Sequence, residues 1–137
     1  MFILQETPID PLKARSMSRH SAKNGAIVIF EGSVRGDEHN GSIVSELLYI
    51  ADTPAVIAEG EKIIAEALSN FPITDAVCIQ RVGQLKTSET AVWIGVWASH
   101  RDEAYKGSRY IIEEIKKRLL IWKKEFYTDG TKAWIHG

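Results

Sequence analysis

The stretch from Thr90 to Ala98, TAVWIGVWA, is apolar at almost every position. Side chains alternate across a strand, so Trp93, Gly95 and Trp97 share one face and Val92, Ile94, Val96 and Ala98 the other. A strand apolar on both faces is expected at the centre of a sheet or at a subunit interface. Three more runs read as strands: Ala26–Val34 (AIVIFEGSV), Ile43–Ile50 and Ile73–Val82. Phe2–Leu4 reads as an edge strand. The spacing of Val56, Ile57, Ile63, Ile64, Ala67 and Leu68 predicts a helix that opens at Asp52-Thr53-Pro54 and ends near Asn70, weakened locally by Gly60. A second helix is predicted from a Ser99 cap to about Leu119, with Ile111, Ile112, Ile115 and Leu119 on its apolar stripe. A short helix is expected after Asp10-Pro11, through Arg19.

Between these elements the chain turns polar. GDEHNGS after Arg35 is turn chemistry, and Leu85–Glu89 reads as a polar connection. Trp122–Tyr127 and Ala133–His136 flank Thr128-Asp129-Gly130-Thr131, a hairpin signal. The predicted order is β-α-β-β-α-β-β-α-β-β. Strand pairs separated by helices predict an α+β sandwich, with helices on one face of a largely antiparallel sheet.

The chain has 137 residues, 45% hydrophobic and 26% charged, which fits one domain with a sizeable core. Its one cysteine, Cys78, lies in an apolar run and is expected to be a small buried hydrophobe. No apolar run is long enough to span a bilayer, and the N-terminus reads as a strand rather than a signal peptide. A cytoplasmic location and no membrane partner are therefore expected. A formal net charge of −1 argues against a general nucleic-acid coat. There is no P-loop, GxGxxG, HExxH, GxSxG or paired-cysteine motif. His39 lacks second and third ligands at useful spacing, so no metal is expected.

Charge adds one feature that hydropathy does not show. From Lys106 to Lys124 seven basic residues stand against two acidic ones, although the chain as a whole is slightly acidic. The apolar stripe runs through this segment, so some of its lysines must sit beside buried side chains, where desolvation lowers a lysine pKa. Lys116 and Lys123 are candidates. On one continuous helix they would lie roughly 10 Å apart; if the helix stops near Leu119 and a strand begins, they come closer. Ser99-His100-Arg101 stands at a strand-to-helix junction, where free N–H groups favour anions. Arg35 ends a strand before a polar loop. Taken alone, each site reads better as an ordinary solvated or capping residue.

Together the segments resemble the large, catalytic subunit family of molybdopterin synthase. The resemblance rests on GAIVIFEGSVR (Gly25–Arg35), RVGQL (Arg81–Leu85), VWIGVWASHR (Val92–Arg101) and KKRLLIWKKE (Lys116–Glu125), with Trp134 after a Gly-containing turn. It implies an α/β-hammerhead-like two-layer sandwich with a small β subdomain, as a single domain over residues 1–137. It implies a sulfurtransferase that converts a cyclic pyranopterin monophosphate to molybdopterin, with no cofactor. Sulfur would come from the C-terminal Gly-Gly thiocarboxylate of a small ubiquitin-like subunit. The large subunit would be a homodimer within a heterotetramer. Lys116 and Lys123 match the family's catalytic lysines. Arg35, His100 and Arg101 match its substrate-phosphate site, the last two contributed across the dimer interface.

The chain departs from the family pattern at Leu120, where proline is common, at Leu48, Ile50, Asp52 and Ala55 in and after the second strand, and in stopping at Gly137. These departures are expected to alter the shape of the pocket. They also leave open a non-catalytic homologue that binds the ubiquitin-like partner without turnover.

Overall fold

The computed structural model describes residues 1–19, 21–39 and 41–135. A four-stranded sheet has the order β1 (Phe2–Gln5), β5 (Ile73–Arg81), β7 (Thr90–Ala98), β2 (Ala26–Ser33). β7 is central, as its two apolar faces require, and pairs antiparallel with both β5 and β2. β1 is an edge strand and runs parallel to β5.

The two long helices, α2 (Thr53–Asn70) and α3 (Arg101–Arg118), cover one face of this sheet. Val56, Ile63 and Ile64 of α2 and Ile111 and Ile115 of α3 pack there against Cys78, Val92, Ile94 and Val96. Asp52 caps α2 by accepting from the Ala55 amide at 3.2 Å. Gly60 is buried where the helix meets the Phe2 ring, and a Cβ there would lie 2.4 Å from it. The glycine that weakens the helix pattern thus permits β1 to dock. Burial pushes the Cys78 thiol up, so it stays a protonated hydrophobe.

The opposite face carries Trp93, Trp97, Val77 and Ile79, covered in part by α1 (Pro11–Arg15) through Ala14. This helix stops at Arg15 rather than Arg19. Asp10 caps it through the Leu12 and Lys13 amides, as Asp10-Pro11 predicts.

A second sheet holds β3 (Glu38–His39), β4 (Ser42–Ala51), β8 (Ile121–Tyr127) and β9 (Lys132–Ile135), with β6 (Gly83–Lys86) also on β4. It is the small β subdomain, closed around Val44, Leu47, Tyr49 and Leu85. β3 and β6 are additional to the predicted order. In place of a polar connection, β6 pairs with Glu46–Tyr49, and Leu85 is fully buried. Its partner strand lies far away in sequence, so no local pattern reveals the pairing. The Asp129-Gly130 hairpin forms as expected, with Gly130 at φ 87°. The predicted strand end at His136 lies outside the described residues.

Candidate active site

α3 ends at Arg118 with Leu119 as its C-cap, and β8 starts at Ile121. The chain therefore reverses between Lys116 and Lys123, and the two come together instead of stacking on one helix. Lys123 stands opposite Tyr49 in the β4–β8 pairing, with its ammonium 5.5 Å from the centre of the Tyr49 ring. Lys116, Lys123, Tyr49 and Gln80 border a cavity of about 240 Å³, with Ile115 and Val92 among its apolar walls.

The electrostatics of this cavity are unusual for a lysine. Lys123 is pulled down from an ordinary 10.5 to about 8, first by burial, then by the charge and hydrogen bonding of Lys116, then by the charge of Arg35. Glu125 opposes the shift but does not cancel it. Glu125 is itself buried and accepts from the Tyr127 hydroxyl at 3.0 Å. Arg35 thus belongs to the same electrostatic neighbourhood. Its side chain is exposed and pairs with Asp37 at 3.3 Å.

His100 and Arg101 stand at the other end of α3, about 22 Å of helix rise from Lys116. Both are exposed. His100, not Ser99, is the N-cap residue, and no side chain closes the helix start. Free amide groups and an arginine suit an anion there, but one chain does not bring this end to the lysines. β2 connects the two regions. Its first residue pairs with Ala98, just before Ser99, and its last lies two residues before Arg35.

Gln80 and Tyr49 escape the sequence reading. The signal for Gln80 was a polar residue inside the run AVCIQ; for Tyr49 it was a tyrosine on the inward side of a strand. The departures at Ile50 and Leu120 are exposed, and Asp52 is occupied in capping α2. None of Leu48, Ile50, Asp52, Ala55 or Leu120 borders this cavity. Among the described residues no cluster of three or more His, Cys, Asp or Glu could hold a metal ion.

A family model described as MoaE protein matches residues 4–118. A molybdopterin synthase catalytic subunit of Pyrococcus abyssi is 44% identical over 117 residues, spanning 85% of this chain and 78% of that protein. One of Thermoplasma volcanium is 36% identical, spanning 96% of this chain and 94% of that protein. The crystal structure of molybdopterin synthase from Staphylococcus aureus aligns with a TM-score of 0.91 at 32% identity, covering 99% of this chain and 97% of that one.

Proposed function

The chain belongs to the MoaE protein family, and from that membership we propose that it is the catalytic subunit of a molybdopterin synthase. It transfers sulfur from the C-terminal thiocarboxylate of a small ubiquitin-like subunit to a cyclic pyranopterin monophosphate. Lys116 and Lys123 are its catalytic residues. The observation that supports this most is Lys123, half-buried beside a second lysine and lowered to about 8. An amine in that range exchanges a proton near neutral pH, and its neighbours attract the anionic thiocarboxylate and phosphate.

The whole chain serves as one domain, in the cytoplasm. No described helix is long and apolar enough to cross a membrane. The relatives are called catalytic subunits, which implies a further subunit in those enzymes.

The remaining anion site, Arg35 with His100 and Arg101, is completed by a second copy of this chain. β2 is an edge strand with Ile29 and Phe30 exposed near its middle. Two copies paired antiparallel along β2 would set the His100–Arg101 end of one beside the Arg35 end of the other. The test is subunit mixing. Arg101→Ala and Lys123→Ala dimers, each inactive alone, should regain about a quarter of wild-type product after exchange, because half the dimers then hold one intact site. Exchange without recovery would sink the shared site. Full turnover in Lys116→Ala and Lys123→Ala would sink the catalytic assignment.

A further inference from the structure

Lys116 stands at the rim of the cavity and Lys123 is half-buried, with Gln80 and Tyr49 deeper. Lys116 is exposed, whereas Gln80 is 6% exposed between the buried residues Ala91 and Val92. Its amide nitrogen donates to the carbonyls of Arg81 at 3.0 Å and Ala91 at 3.2 Å.

The backbone explains why those two carbonyls accept from a side chain. Gly32 pairs with Val92 and Ser33 with Thr90, so Ala91 is an extra, bulged residue in β7. On the other side, the β5–β7 ladder ends at Gln80–Val92. The Arg81 and Ala91 carbonyls lie beyond it, and the Gln80 amide bridges them. A reversed amide would set its oxygen against two carbonyl oxygens, so the orientation is fixed by chemistry. The Gln80 Oε1 is left with no partner among the described residues.

The cavity therefore offers the two lysines, the buried Tyr49 side chain and one oriented amide acceptor among apolar walls. An acceptor repels phosphate and thiocarboxylate but suits a ring N–H. At about 240 Å³ the space is below the roughly 300–1,000 Å³ of a drug-sized pocket and suits a flat ring system rather than a whole phosphorylated ligand.

We infer that Gln80 is a specificity-determining residue: its Oε1 accepts an N–H from the substrate's heterocycle and holds the ring in the floor while the phosphate stays with the cations. This rests on the pterin-substrate reading above. The bulge at Ala91 thereby has a role in recognition, because it turns the amide and aims the acceptor.

The experiment compares the wild type with Gln80→Asn, which withdraws the amide by one methylene, and Gln80→Met, which removes it at similar length. Steady-state turnover uses the cyclic pyranopterin monophosphate and thiocarboxylated partner. Inorganic phosphate serves as an inhibitor that probes the cations alone. In both variants KM for the pterin should rise about tenfold or more, kcat should change less, and inhibition by phosphate should stay within about twofold. If Gln80→Met does not fold, Gln80→Asn carries the comparison. An unchanged KM would overturn the inference, as would parallel weakening of pterin and phosphate, or a loss confined to partner affinity. A shift of the Lys123 titration at unchanged KM would also overturn it, by assigning Gln80 to the lysine. A wild-type protein that forms no product would sink the function itself, and the inference with it.

Discussion

Arg118 and Lys123 stand five positions apart in one basic run, yet their surroundings differ in kind. Arg118 lies in the α2–α3 seam among carboxylates. It donates to Glu66 at 2.6 and 3.0 Å, to Glu59 at 2.7 Å and to Glu114 at 3.4 Å. Tyr110 adds a hydrogen bond to Glu66 at 2.7 Å. These bonds push the Arg118 pKa up and hold Glu66 down at about 2. Lys123 has the opposite company: a ring, a second lysine and a nearby arginine, with Glu125 as the weaker counterweight. The difference teaches that a count of cations does not locate a site. Cations answered by carboxylates hold helices together, and cations crowded with other cations are available to an anionic substrate.

The largest expected effect separates the two regions by activity. Lys123→Ala should cut product formation by about 100-fold or more, whereas Arg118→Met should keep activity per folded molecule within about threefold. Product assays with circular dichroism as a folding control decide it; equal losses would erase the distinction.

Next comes stability. Arg118→Met should lower Tm by a few degrees, because three partly buried carboxylates lose their shared partner. This loss should depend on pH. Glu66 is lowered from 4.5 to about 2, first by its hydrogen bond from Arg118 and then by that from Tyr110. Its contribution is full above about pH 4.5 and fades as pH falls towards 2. The gap in stability between wild type and variant should therefore close over that window in denaturation curves. A gap that widens in acid would contradict the pairing.

The smallest effect sharpens the account of Lys123. Its side-chain NMR signals should titrate near 8, and Lys116→Ala should raise the midpoint without restoring 10.5, because burial is the larger cause. A return to 10.5 would make Lys116 the dominant influence. With its folded pKa below the unfolded one, this lysine adds stability as pH rises from about 8 towards 10.5.

Much of this was legible in the residues, because it depends on local pattern. Strand β7 matched its predicted bounds, Thr90 to Ala98, since a continuous apolar run with both faces apolar lies there between polar Glu89 and Ser99. α2 followed from Asp52, Pro54 and a helical stripe. Lys116, Lys123, Arg35, His100 and Arg101 were named from a run of charge, a helix start and a family resemblance. β6 was missed because four residues that alternate weakly become a strand only when β4 supplies the partner.

The sequence by itself determined which segments are strands and helices and which residues carry charge, because periodicity and residue type act over a few neighbours. Only the tertiary structure decided which of those charges meet. It turned the chain after Arg118 so that Lys123 faces Lys116, gave Arg118 to the glutamates of α2, and left His100 and Arg101 at the far end of a rigid helix. The physical reason is that desolvation and pairing depend on distances across the fold, and residues far apart in the chain set those distances.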